Sequence, residues 1–354
     1  MDPIIFIIAL AILIFIHELG HFLTAKKLGM YVEEFSIGFP PRLISKKVKE
    51  TLYSLNLIPI GGYVKIFGET EGDIDELTKE DPDYELKKKR AFYNQANWKK
   101  ITVLLAGVFM NFLFGWLIIS LVFVRGVSVP GDEVKVINVA QLSPAQEAGI
   151  LEEDIIVSVA DETIESSEEL IDEVQQYLDK TVQLVLLRNG TELKVNLTPR
   201  SNPPAGQGSI GVVISDFTQK KYSLIEAPWL GLKESIYISK TFYTQMYRGL
   251  SNVITRSGPG VEVSGPVGIY NAYSQREGVF EKLLLTGLIS LNLALINILP
   301  IPALDGGHLF IVIYESITRR QISTIKKQRL TYAGLITLLA LLAFITIKDV
   351  IKLF

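Results

Sequence analysis

The chain reads as a polytopic α-helical membrane protein of about four transmembrane helices, one of them broken, with a re-entrant β-hairpin and an inserted α/β domain. Three observations predict this. Of the 354 residues, 48% are hydrophobic and mean hydropathy is +0.31, yet the apolar residues gather in a few long runs. The runs near 3–25, 101–124 and 283–317 reach or exceed the ~20 residues that cross a bilayer core. Between the second and third lies an acidic stretch with alternating strand and helix signals.

The first run is expected to be a retained anchor. Met1-Asp2 carries no positive n-region, and the run outlasts an h-region without a small-residue cleavage site. Within it stand His17, Glu18 and His21. Ionisable groups at that depth are costly and point to function. On a helix the two histidines lie one turn apart on one face and can reach one metal ion. Glu18 lies beside them as a general base for water. The sequence holds three histidines and no cysteine, so disulfides and thiolate metal sites are both excluded.

The run 283–317 is too long for one straight span. It is interrupted at Asn297-Ile-Leu-Pro300-Ile-Pro302-Ala-Leu-Asp305-Gly306-Gly307-His308, where two prolines and two glycines break the helix. Asp305 opens the next helical segment. Alone, it reads equally as a helix N-cap or as a cation ligand. A His-Glu-x-x-His motif in another span favours the ligand reading. Two nitrogens and one oxygen then leave a fourth position for water, as in a hydrolytic zinc site. Depth agrees, since the helix rises only ~7.5 Å from His21 to Lys26 at the membrane edge.

Charge sets the orientation. The Lys-rich loop between the first two spans is cytoplasmic by the positive-inside rule. The acidic domain after Arg125 and the N-terminus then lie outside, and the basic loop from Thr318 to Arg329 lies inside. A net charge of −3 gives no sign of nucleic-acid binding.

Inside the first loop, Thr51 to Gly68 reads as two short strands around a Pro/Gly turn and is apolar for a solvated segment. A re-entrant hairpin beside the metal site fits this better than a small cytoplasmic hairpin. Its strand edge could take an unwound substrate by β-augmentation. Glu69 to Asp83 reads as an acidic connector.

In the acidic domain, 134–139 and 155–159 are expected strands, and Ser143 to Gly149 is a short capped helix. Ser167 to Leu178 is a helix with Leu170, Ile171, Val174 and Leu178 on one face. The runs 182–188 and 191–197 flank the turn Asn189-Gly190, and Ser201 to Gly208 closes the unit as a loop. The helical stretch 227–254 carries Lys233, Glu234, Lys240 and Arg248, so it is read as an outer interfacial helix or as a core helix of the soluble domain. Asn292 is expected to bond across helices. His308 is either an orienting partner of Asp305 or a packed helix-turn histidine.

His17-Glu-Leu-Gly-His21, paired with Asn297-x-x-Pro300-x-x-x-x-Asp305-Gly306 on a late span, resembles the site-2 protease family of intramembrane zinc metalloproteases, in the branch of the bacterial regulator of sigma-E protease. The likeness extends to Phe35-Ser-Ile-Gly-Phe39, Pro59-Ile-Gly-Gly-Tyr-Val-Lys65, Trp98 to Asn111 and Gly265-Pro-Val-Gly268. Ser143-Pro-Ala and Ala148-Gly149 make the soluble module similar to a PDZ domain, with Glu153-Asp154 and Ala160-Asp161 where Gly-Asp and Asn-Gly are usual.

The resemblance implies Glu18 as catalytic base, one Zn2+ per chain on His17, His21 and Asp305, and substrate contacts at Asn297, Asn111 and the hairpin glycines Gly61 and Gly62. It implies single-span membrane proteins as substrates, such as trimmed anti-sigma factors and remnant signal peptides, in a bacterial cytoplasmic membrane. The expected divisions are 1–124, 125–218, 219–280 and 281–354. A metal transporter using the same site and a silent PDZ scaffold are the alternatives.

Overall fold

A computed structural model describes residues 2–69, 84–255 and 264–352; most of the expected acidic connector, 70–83, lies outside them. The chain divides into two units, Met1–Val122 with Ser223–Phe354, and Phe123–Tyr222.

The first unit opens with α1 (Asp2–Lys27). Gly29 ends it in the left-handed conformation (φ 79°) while Met30 N–H donates back to Ala25 O at 2.9 Å, a closure that favours glycine. Two antiparallel strands follow, β1 (Val32–Val48) and β2 (Thr51–Ile66). Here the expectation needs correcting. Pro59 to Gly62 does not join two paired strands: β2 bends there, with Gly61 at φ 105°, and its halves flank β1 instead. Glu34 to Ile37 pair with Lys65 to Gly62 and also with Leu52 to Leu55. The hairpin turn proper is Lys49-Glu50, and β1 itself is not foreseen in the sequence.

Glu50 fastens that turn. It accepts from Arg90 Nη1 and Nη2 at 2.7 and 2.8 Å and from Lys26 Nζ at 2.7 Å. The Arg90 hydrogen bonds hold its carboxyl down at about 2, against an ordinary 4.5. Arg90 ends α2 (Tyr84–Arg90), and a 3-10 turn (Phe92–Asn94) leads into α3 (Asn97–Arg125).

The second unit is a six-stranded sheet with two short helices. Its elements are β3 (Val127–Val139), α4 (Pro144–Glu147), β4 (Ile155–Val159), β5 (Glu162–Thr163), α5 (Ser167–Gln175), β6 (Val182–Arg188), β7 (Thr191–Leu197) and β8 (Val212–Lys220). The strand order is β7-β6-β4-β3-β8, with β5 on β4. Ser143 caps α4 by accepting from Gln146 N–H. Val134, Val136, Ile156, Leu170, Leu184 and Leu186 fill the core, whereas Ile171, expected on that face, is half exposed. The loop at Ser201 to Gly208 does not close the unit: β8 follows it and pairs along β3.

The chain then returns to the first unit with α6 (Glu226–Thr255), α7 (Pro266–Ser274), α8 (Val279–Asn297), α9 (Asp305–Thr318) and α10 (Thr324–Lys352). Among the described residues, α1, α3, α8 and α10 are long and apolar enough to cross a membrane. The broken run thus divides into a full-length α8 and a short, separate α9.

Helix α6 belongs to the membrane-helix unit, so it is not a core helix of the inserted domain. It bonds to α3 and α8: Trp116 Nε1 donates to Pro228 O at 2.8 Å, and Tyr243 Oη to Leu295 O at 3.1 Å. The small residues Ala227, Gly231 and Ser235 are buried, whereas Trp229, Ile236, Tyr237 and Tyr247 stay exposed. Lys233 stacks on Trp229, 5.2 Å from the ring centre. At the other end of α10, Asp349 accepts from Gly265 and Gly268 N–H, both at 2.8 Å, and so caps α7. Asn292 is exposed on α8, not bonded across helices as expected.

Candidate metal centre

Helix α1 brings His17 and His21 to one face, and the break between α8 and α9 delivers Asp305 to meet them. His17 Nε2 and His21 Nε2 are 3.1 Å apart, and Asp305 Oδ2 lies 2.9 and 3.3 Å from them. The cap reading of Asp305 fails, because Leu304 occupies the cap position and makes no side-chain cap bond. Phe22, Phe35, Ile66, Val103 and Val312 form a packed core to which both α1 and α3 contribute.

Chemistry decides whether these groups suit a metal. His21 Nδ1 lies 2.8 Å from Val103 O. A carbonyl only accepts, so Nδ1 carries the proton and the Nε2 lone pair points into the cluster. Asp305 Oδ2 is buried and has no hydrogen-bond donor, a costly state for a carboxylate unless a cation faces it. Both histidines are buried, and the three donor atoms lie within 4.8 Å of one another. Two imidazole nitrogens and one carboxylate oxygen fit zinc with one open position.

The histidines fit only because α3 carries Gly107 behind them. A Cβ there would overlap His21 Nε2 and come within 2.8 Å of His17 Cε1. On the open side, Glu18 Oε2 accepts from Val64 N–H at 3.1 Å, which ties the last stretch of β2 to the motif helix. A cavity of about 260 Å3 opens there, lined by His17, Glu18, Asn111, Asn297, Leu304 and Asp305 among others.

The residues singled out in the sequence thus distribute unequally. His17, Glu18, His21, Asp305, Asn111 and Asn297 share the cavity wall. Gly61 and Gly62 do not line it. They serve the hairpin's own packing, where a Cβ would strike the Phe39 ring or Ser36 O. No hydrogen bond joins His308 to Asp305; its ring lines a separate cavity with Lys100, Glu315 and Lys327. Gly107, Val103 and Val64 were not foreseen. The spacing Gly107-x-x-x-Asn111-x-x-x-Gly115 on one helix face was the available signal for the first.

Residues 5–341 match peptidase family M50. The chain belongs to that family. A protein of Clostridium acetobutylicum, named as a candidate zinc metalloprotease, is 33% identical over 351 residues, covering 98% of this chain and 97% of the relative. The regulator of sigma-W protease RasP of Bacillus subtilis is 27% identical, covering 99% and 98%. The solved PDZ domain of an SdrC-like protein from Listeria monocytogenes aligns at 23% identity and a TM-score of 0.22, over 25% of this chain and 95% of that domain. This M50 chain is therefore an integral-membrane zinc metalloprotease, and its apolar helices, sheet-built insert and histidine–carboxylate cluster are the parts such an enzyme requires.

Proposed function

We propose that this M50 peptidase hydrolyses a peptide bond within the membrane-spanning segment of single-span proteins. The observation that carries this is the convergence of His17, His21 and Asp305 beside Glu18 on one polar cavity between apolar helices. The two histidines and Asp305 would hold a zinc ion, which would supply Lewis acidity toward the scissile carbonyl and make water nucleophilic near neutral pH. Glu18 takes a proton from the attacking water and delivers it to the departing amide nitrogen, acting as base and then as acid. Asn297 binds the substrate backbone in the same cavity.

A membrane-spanning helix buries its carbonyls in internal hydrogen bonds, so the substrate unwinds locally before water reaches one. The β1–β2 hairpin bent at Gly61-Gly62 is the element that presents the extended segment. The membrane is a bacterial cytoplasmic membrane, with the N-terminus and the PDZ-like unit outside and the basic loops inside. The PDZ-like unit rejects substrates that still carry bulky outer domains. The name of the Bacillus subtilis relative favours trimmed anti-sigma factors as substrates, and remnant signal peptides share their single-span form.

Co-expression with tagged single-span proteins tests this. Wild type is expected to cleave members of the panel. Glu18→Gln is expected to retain zinc and lose cleavage by about 10²–10⁴-fold, the usual worth of a general base, and Asp305→Asn to lose both. Cleavage by Glu18→Gln at the wild-type rate would remove the protease reading. A metal transporter using the same three ligands would keep its transport in Glu18→Gln.

A further inference from the structure

His21 has its ring proton fixed by Val103 O, and the corresponding partner of His17 is Asn111. The carboxamide nitrogen of Asn111 lies 3.4 Å from His17 Nδ1. Asn111 is 1% exposed, and its Oδ1 is buried with no hydrogen-bond partner. Its backbone is held in place as well, since Asn111 O accepts from Ser290 Oγ at 2.8 Å, locking α3 to α8 at this level.

A neutral imidazole that offers Nε2 to a metal carries its proton on Nδ1. Facing an NH2 group, that Nδ1–H would meet another donor while the amide oxygen stayed orphaned. Half a rotation about the terminal side-chain torsion exchanges NH2 and oxygen in nearly the same volume. The exchange replaces the donor–donor contact with an N–H···O bond and gives the orphaned oxygen its partner. It also gives His17 what His21 already has, a carbonyl acceptor supplied by α3.

We propose that Asn111 is a positioning residue for His17: its Oδ1 accepts from Nδ1–H and thereby turns Nε2 toward the metal. This rests on the reading of His17 as a zinc ligand. It gives Asn111 a task distinct from the substrate contact implied by resemblance, which passes to Asn297 alone.

The test is zinc affinity, measured without substrate. Detergent-purified full-length chain competes for zinc with a chromophoric chelator, alongside Asn111→Ala, Asn111→Asp and Asn292→Ala. Orienting partners of metal-bound histidines are typically worth 10–100-fold in affinity, so Asn111→Ala is expected to weaken zinc binding by that factor. Asn111→Asp keeps an acceptor and is expected to bind zinc close to the wild-type value. Asn292→Ala, changed on the exposed side of α8, is expected to match wild type. If the space left by alanine unfolds the chain, Asn111→Leu takes its place, being near in size and without an acceptor.

Wild-type affinity in Asn111→Ala, or equal losses in Asn111→Ala and Asn111→Asp, would overturn the assignment. Absence of zinc binding by wild type itself would remove the functional reading and this assignment with it. Wild type that binds zinc with Asn111→Ala unchanged would remove this assignment alone.

Discussion

At the scale of single residues, the centre depends on what is missing from α3 as much as on what α1 and α9 supply. His17, Glu18 and His21 announce themselves in the sequence because ionisable groups are rare in an apolar run and their spacing is that of one helical turn. Asp305 is legible for a similar reason, since prolines and glycines mark the break that exposes it. Gly107 carries no such chemistry. Its value lies in the space that two imidazoles from another helix occupy, and only three-dimensional packing reveals that. Gly107→Ala is therefore expected to push the histidines off their shared centre. Misplacing reacting groups by about 1 Å costs on the order of a hundredfold, and zinc affinity and cleavage should fall together by at least that much. Gly208→Ala is the control, because its Cβ would enter open space. Equal cleavage by the two variants would show that the close approach behind His21 is not used.

At the scale of elements, the long apolar helices α1, α3 and α8 follow from hydropathy alone, whereas the strands divide into local and non-local cases. The runs 182–188 and 191–197 were legible because Asn189-Gly190 joins neighbours in sequence. β8 was hidden behind a loop rich in proline and glycine, and its partner β3 lies far back in the chain. β1 mixes charged residues with Pro40-Pro41, and its first part, Glu34 to Ile37, is paired on both sides only once β2 bends around it. In the sheet-built unit, Glu153 and Asp161, where the resemblance expects glycine, are both held at positive φ (74° and 72°), a conformation that suits glycine best. The hairpin turn offers a test of its own. The carboxyl of Glu50 is held at about 2 in the fold against 4.5 when free, so its contribution is fully present above pH 4.5 and is lost as pH falls toward 2. Charged hydrogen bonds of this kind are worth roughly 1.5–3 kcal/mol. Thermal unfolding in detergent should place Glu50→Gln below wild type at neutral pH, with the gap narrowing steadily below pH 4.5. A gap that stayed constant down to pH 2.5 would assign the loss to packing instead of charge.

At the scale of the whole molecule, the soluble unit is an insertion whose two ends meet. Tyr222 N–H donates to Phe123 O at 3.1 Å, and their rings lie 5.6 Å apart. The membrane unit therefore feels the insert through a gap that a short linker can bridge, and loop closure of so few residues costs little. The expected division at 218 falls inside β8 (Val212–Lys220). Cutting at 200, ahead of the Pro/Gly loop, would strand β8 and expose an unpaired strand edge, a source of aggregation unrelated to function. Removing 127–220 and joining the ends through a Gly/Ser linker avoids that fault and leaves His17, Glu18, His21 and Asp305 untouched. If the PDZ-like unit is a size filter, the shortened chain should cleave a pre-trimmed single-span substrate at the wild-type rate. It should also cleave the same substrate with its outer domain intact, at a rate raised about tenfold or more over wild type, since filtering acts by excluding encounters and not by changing the chemical step. Immunoblotting the two substrates against both enzymes reads the four rates. A fall in the pre-trimmed rate alone would mean that the unit delivers substrates instead of rejecting them, and an unchanged ratio of the two rates would leave it no part in selection.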